Sequence, residues 1–197
     1  MLPAANSLTI AFAHVAYQMQ ARFALRTTGI ASLEVRDRAG LDTRIAEADV
    51  LVVSGLWRND LVAMAPKLKF IQSIGAGTDQ FDRALLAQRG IRLASAAGVN
   101  ARAVSEHAIS LILALARRLP EARDNQARKH WRGMIGDLSQ REDELQGKTL
   151  VVVGLGRIGN RLAQIAKAFD MRVIGVRRDP AGGQGAADEI HALSALP

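Results

Sequence analysis

The 197-residue sequence contains no cysteine, which excludes disulfides, thiolate nucleophiles and cysteine-ligated metals together. Aromatic residues are scarce at 4%, so a base-stacking platform for nucleic acid has little to be built from. The arginines are scattered from Arg22 to Arg178, without a basic tail. Residues 1–21 carry no Lys, Arg, Asp or Glu, and the first basic residue, Arg22, follows the apolar stretch. A secretory signal has the reverse order, basic region first. The most apolar helical stretch, residues 108–116, is too short to span a bilayer. No pair of histidines has the spacing of a metal site. The expectation is a soluble, cytoplasmic protein that engages neither membrane nor nucleic acid.

What is present is enough for a real core: 49% of residues are hydrophobic. The 26 Lys and Arg outnumber 19 Asp and Glu, and the net charge of +7 favours small anionic ligands. Short apolar, β-branched runs alternate with helical patterns, the mark of parallel strands joined by crossover helices. Strands are expected at residues 9–15, 33–36, 50–54, 69–74 and 92–95, with helices at 17–27, 43–48, 59–65 and 83–88. Asn100 is placed to cap a long helix, residues 101–118, whose "AISLILALA" reads as buried all round. Residues 120–147 are polar and read as an arm or linker around Trp131. The fold class is α/β, with parallel sheets.

"TLVVVGLGRIGNRLAQIAKAFDMRVIGVRRD" carries the densest signal. Gly154, Gly156 and Gly159 follow an apolar strand and open a helix whose Ile158, Leu162, Ile165 and Phe169 share one face. A second strand ends about twenty residues on, as a dinucleotide fingerprint requires. The first glycine serves the tight turn, the second the approach of a pyrophosphate, and the third close helix–strand packing. N–H groups of Arg157 and Ile158, with the helix dipole, would hold phosphates. NAD-specific units end the second strand in an acid that bonds the ribose. Here Arg177 and Arg178 stand at that end, and a guanidinium grips a 2′-phosphate where a carboxylate would repel it. NADPH is therefore expected over NADH, with NAD possible.

A second cluster, Gly75, Ala76 and Gly77 in "KFIQSIGAGTDQFD", also follows an apolar strand. Successive N–H groups in such a turn suit a carboxylate. Asp79 and Asp82 are expected as helix caps. His107 follows Glu106, but adjacent helix positions diverge, so no acid–base pair forms and a buried structural histidine is expected. His14, His130 and His191 fit surface or capping roles.

"SIGAGTDQFD", "GVNARAVSEHAISLILALARRL", the tryptophan at 131 and "ELQGKTLVVVGLGRIGNRLAQIAKAFDMRVIGVRR", in this order, resemble the D-isomer-specific 2-hydroxyacid dehydrogenase family. The resemblance runs from about residue 50 to 178. It implies a flavodoxin-like substrate domain, residues 1–99, and a Rossmann NAD(P)-binding domain, residues 100–197, truncated. It implies that Gly75, Ala76 and Gly77 receive the substrate carboxylate, that Leu56 and Trp57 border the substrate, and that Val104 lies near the nicotinamide. Gly154, Leu155, Gly156, Arg157, Ile158 and Gly159 would form the cofactor loop. It further implies a homodimer through the cofactor domain, with residues 120–147 as an interface element.

In that family hydride passes between the nicotinamide and the carbonyl carbon of a 2-oxoacid, an Arg holds the carboxylate, and a His–Glu pair supplies the proton. Those motifs would lie beyond Pro197, so no catalytic residue is assigned. The chain is expected to be an N-terminal portion (a fragment, a truncated gene product or half of a split enzyme) with little turnover alone. Glyoxylate or hydroxypyruvate is the family-level substrate guess. The alternative is a non-catalytic dinucleotide-binding or interaction module.

Overall fold

The computed structural model describes residues 3–196 and divides into two compact units, the first ending at Ala97 and the second beginning at Gly98. The first unit is a five-stranded parallel sheet of β1 (Thr9–Ala13), β2 (Ala31–Val35), β3 (Val50–Val53), β4 (Phe70–Ser73) and β5 (Arg92–Ser95), in the order β2-β1-β3-β4-β5. This is the flavodoxin-like order. Between the strands run α1 (Met19–Ala24), α2 (Arg38–Arg44), α3 (Leu61–Met64) and α4 (Arg83–Gln88).

Alternation along the strands builds the core: Ala11, Ala13, Leu33, Val35, Leu51, Val53 and Ile71 turn to one face. There they pack with Leu41, Ile45, Leu61, Val62 and Leu86 in one cluster. Asp49, 7% exposed, ties the start of the sheet: its carboxylate accepts the Thr9 N–H at 2.9 Å, and its own N–H donates to the Thr9 carbonyl. α1 and α3 are shorter than their sequence patterns, whereas α4 matches its own. α1 ends before Thr27, which sits at φ 47°, and the expected helix at 43–48 begins earlier because Asp37 caps it through the Gly40 N–H at 2.7 Å.

The second unit holds α5 (Ala101–Ala116), α6 (Leu119–Ala127), β6 (Thr149–Val153), α7 (Arg157–Lys167), β7 (Arg172–Arg177) and β8 (Glu189–Ala192). β6, β7 and β8 form a parallel sheet in that order. Its core joins Ile109, Val152, Ala163, Ala166, Met171 and Val173, with Ile112, Leu113 and Ala116 partly buried beside them.

Several expectations are corrected here. α5 is not buried all round: Ser105 and Ile109 face the core, while Leu111 and Leu115 are 52% and 77% exposed. The same geometry exposes His107, which lies off the buried 105–109 stripe, so it is not a buried histidine. Asn100 stands at the N-cap without a side-chain cap bond. Residues 119–127, read as arm, are helix α6, which Pro120 opens in the first turn, where proline is pre-organised. Arg118, paired with Glu121 at 2.6 Å and bonded to the Gln140 carbonyl, ties that turn to the segment after it.

β8 was not anticipated. Its four residues include an acid and a histidine, and it follows the glycine-rich run 181–187, so it lacks an apolar signature. It is secured by polar bonds instead. Asp188 accepts the Val173 N–H at 2.7 Å and pairs with Lys167 at 2.7 Å, and Arg172 pairs with Glu189. Asp188 is held below the ordinary carboxylate range, first by the Lys167 ammonium and then by the Val173 N–H.

Candidate functional site

In the second unit β6 leads directly into a glycine loop and α7. The Gly154 N–H donates to the Val176 carbonyl at 2.7 Å, which continues the ladder one residue beyond β6. Gly154 then turns the chain at φ 99°, a conformation that favours glycine strongly. Gly156 is the N-cap of α7, and a Cβ built on it meets nothing within 4 Å. A Cβ on Gly159 would lie 2.0 Å from the Gly154 carbonyl oxygen and 2.9 Å from Val152 Cγ1. The three glycines therefore serve a turn, an open approach and a close packing, in that order.

The N–H groups of Gly156 and Ile158 donate to no acceptor among the described residues, and α7 places its positive dipole end beneath them. Leu155 Cδ1 occupies the space a side chain at Gly175 would need.

A cleft of about 400 Å³ opens at the C-terminal ends of β6 and β7, lined by Gly154, Gly156, Arg177, Arg178 and Asp179, and also by Leu193 beyond β8. The two arginines differ in their engagement. Arg177 Nη1 donates to the carbonyls of Gly182 and Gly183 at 3.0 and 2.9 Å, so this guanidinium fastens the loop that follows β7. Gly182 lies so close that a Cβ there would meet Arg177 Nη2 at 2.4 Å. Arg178 is exposed and makes no side-chain hydrogen bond or ion pair among the described residues. Asp179 accepts the Ala181 N–H at 3.0 Å and shapes the same turn. Open backbone donors, an unfilled approach at Gly156 and a cationic rim fit a dinucleotide. Val104, 39% exposed on α5, is not among the residues lining the cleft.

Sequence reasoning missed Leu193 as a wall of this cleft, because it missed β8. It also missed the occupation of Arg177, for which the Gly182–Gly183 pair just after the strand is a usable signal.

In the first unit the loop after β4 is built around Ser73, which is fully buried and donates its hydroxyl to the Gly75 carbonyl at 3.2 Å. The Ala96 N–H also donates to the Gly75 carbonyl, at 3.2 Å. With the carbonyl side anchored, the N–H groups of Gly75, Ala76 and Gly77 donate to no acceptor among the described residues. A Cβ at Gly75 or Gly77 would have ordinary contacts only, the nearest at 3.8 and 3.9 Å, so nothing in the chain itself demands glycine there. The loop can present three donors to an anion.

Trp57 is not an open wall of this loop. It is 6% exposed, packs on Phe81 with ring centroids 5.2 Å apart, and donates Nε1 to Asn59 Oδ1 at 3.0 Å. Leu56 is buried too. An apolar indole at a strand end goes to the core when a neighbouring ring, here Phe81, offers it a partner. Asp82 caps α4 through the Leu85 N–H at 3.0 Å, whereas Asp79 makes no capping bond. His14 fixes the turn before α1, its Nδ1 accepting the Ala16 and Tyr17 N–H groups at 3.0 and 2.8 Å, and is not the helix cap, which is Gln18. Among the described residues no cluster could hold a metal ion, and no helix is long and apolar enough to cross a membrane.

Residues 109–195 match the family described as D-isomer specific 2-hydroxyacid dehydrogenase, NAD binding domain. The chain is 38% identical over 139 residues to D-3-phosphoglycerate dehydrogenase of Methanocaldococcus jannaschii, covering 67% of this chain and 25% of that protein. It is 40% identical over 119 residues to glyoxylate reductase of Aeropyrum pernix, covering 58% of this chain and 35% of that protein. A crystal structure of a D-isomer specific 2-hydroxyacid dehydrogenase family protein from Aeromonas salmonicida superposes with a TM-score of 0.78 at 27% identity, over 96% of this chain and 59% of that one. The chain thus spans about a quarter to a third of these two curated relatives.

Proposed function

The chain belongs to the D-isomer specific 2-hydroxyacid dehydrogenase family, and from that premise we propose that it holds NADP(H) and the carboxylate of a small 2-oxoacid for an oxidoreductase acting on the CH–OH group of D-2-hydroxyacids. In this reading the first unit, residues 1–99 with its boundary loop, is the substrate-binding domain and residues 100–197 are the cofactor domain. Bound nicotinamide would supply the hydride that reduces the carbonyl carbon of the oxoacid, in a reaction of the glyoxylate or hydroxypyruvate type. The N–H groups of Gly156 and Ile158 hold the pyrophosphate, and the lack of a side chain at Gly156 lets it approach. The donors at Gly75, Ala76 and Gly77 orient the substrate carboxylate. The cofactor domain carries the contact of a homodimer. The Arg and the His–Glu pair of the family match no motif of this chain, so brisk oxoacid reduction by the chain alone is not expected.

The observation that carries the cofactor reading is Arg178, exposed and unpaired among the described residues, on the rim of the glycine-loop cleft. Arg177 is the lesser part of the clamp, since its Nη1 serves the Gly182 and Gly183 carbonyls. One charge-assisted bond to a 2′-phosphate gives a preference of roughly ten- to a hundredfold. Calorimetric titration of the chain with NADPH and NADH at one salt concentration tests this. The expected result is NADPH favoured by that factor, and Arg178→Gln binding both alike with NADH affinity unchanged. Equal binding of both by the unaltered chain refutes the clamp, and binding of neither refutes the dinucleotide site.

A further inference from the structure

The loop after β4 has one end fixed by the buried Ser73, and its other end is fixed from a different loop. Asn59, between β3 and α3, presents its carboxamide oxygen to two donors: the Trp57 indole Nε1 at 3.0 Å and the Asp82 backbone N–H at 3.0 Å. A carbonyl oxygen has two lone pairs, and here both are used. Trp57 is itself held, buried against Phe81. The indole therefore fixes the carboxamide, and the carboxamide fixes Asp82.

From Asp82 the constraint runs back toward the glycines. The Phe81 N–H donates to the Thr78 carbonyl at 3.1 Å, and Arg83 Nη2 donates to Thr78 Oγ1 at 2.9 Å. Residues 75–77 are thus a short span between two anchored points, Ser73 before it and residues 78–82 after it. A span held at both ends has little conformational freedom left to lose when it receives a ligand.

The place of this bridge matters as much as its strength. β3 and β4 are neighbours in the sheet, and Asn59 joins the loops that follow their C-terminal ends, where open parallel sheets bind ligands. Asp49 makes a comparable side-chain bond to backbone, at 2.9 Å to the Thr9 N–H, but at the opposite end of the same strands.

We infer that Asn59 is a positioning residue for carboxylate recognition: without touching the ligand, it acts through Asp82 and Thr78 to hold the Gly75, Ala76 and Gly77 N–H groups in one fixed arrangement. The inference rests on the reading of those three donors as the carboxylate site. Asn59→Asp keeps an oxygen for both donors and Asn59→Ala removes it, so the two variants separate the hydrogen bonds from the mere presence of a side chain.

The test titrates the full chain with oxamate, an unreactive 2-oxoacid analogue, followed by amide shifts in a nitrogen–proton correlation spectrum at one high salt concentration, so that the charge added by Asn59→Asp is screened. The unaltered chain is expected to shift at Gly75, Ala76 and Gly77. Asn59→Ala is expected to bind oxamate about five- to tenfold more weakly, and Asn59→Asp to restore the affinity. Asp49→Ala serves as the control for stability: measured where it is folded, it melts lower yet binds oxamate like the unaltered chain. The inference alone is overturned if the unaltered chain binds oxamate and Asn59→Ala binds it equally well, if Asn59→Asp restores nothing, or if Asp49→Ala weakens binding to the same extent. No oxamate shift on residues 75–77 of the unaltered chain overturns the carboxylate reading, and this inference with it.

Discussion

Gly156 and Gly159 stand three residues apart in the same turn, yet alanine at the two sites should have opposite consequences. At Gly159 the new methyl would sit 2.0 Å from a backbone oxygen and 2.9 Å from Val152 Cγ1, in a place where the backbone has to give. Overpacking of this kind costs about 1–3 kcal/mol, and contact with main chain puts Gly159→Ala at the upper end. For a unit of about a hundred residues that is a fall in melting temperature of roughly 10 to 20 °C. At Gly156 the methyl meets nothing within 4 Å, and φ of −78° suits any residue. Gly156→Ala should change stability by less than about 1 kcal/mol, because the freedom the unfolded chain loses offsets alanine's poorer capping of α7. Its damage is to the ligand, since the methyl stands where the pyrophosphate must approach, and an NADPH affinity lower by about tenfold or more is expected. Thermal melting read by circular dichroism gives the first quantity and calorimetric titration with NADPH the second. If Gly156→Ala melts as low as Gly159→Ala, or binds NADPH like the unaltered chain, the division of labour drawn for the loop is wrong.

Two further predictions concern buried and paired carboxylates. Asp49→Ala removes the acceptor of the Thr9 N–H and should cost the first unit about 1.5–3 kcal/mol in urea denaturation, followed through the buried Trp57; a loss under about 0.5 kcal/mol would show that the bond is dispensable. Asp188 has its pKa lowered in the folded chain from an ordinary 3.8, so its stabilising effect is complete above that value and fades as pH falls below it. Asp188→Asn should therefore melt lower than the unaltered chain at pH 7, with the gap closing in acid; a gap independent of pH would assign the loss to packing rather than charge.

Legibility in the sequence followed how local the governing physics was. The strands of the first unit announced themselves, because each is a short run rich in apolar and β-branched residues, set off by polar segments, whatever surrounds it. The glycine loop was equally readable, since turn, approach and packing are each set within six residues. The long helix misled for the opposite reason. Its composition is apolar on nearly every side, but burial depends on which neighbours arrive, and the core covers only the stripe through Ser105 and Ile109. His107 went wrong with it. β8 was invisible because its stabilisation comes from Arg172, Val173 and Lys167, which lie 15 to 21 residues away in the chain.

The amino-acid sequence by itself determined the class of fold, the order of its strands' apolar runs, the glycine loop with two arginines after it, and the second loop after β4. These rest on periodicity and on backbone chemistry that neighbouring residues enforce. Only the tertiary structure decided which arginine is free. Arg177 and Arg178 are equivalent as letters, but the chain returns two glycine carbonyls to Arg177 and none to Arg178. It also sent Trp57 into the core, because long-range packing assigns each side chain its partners.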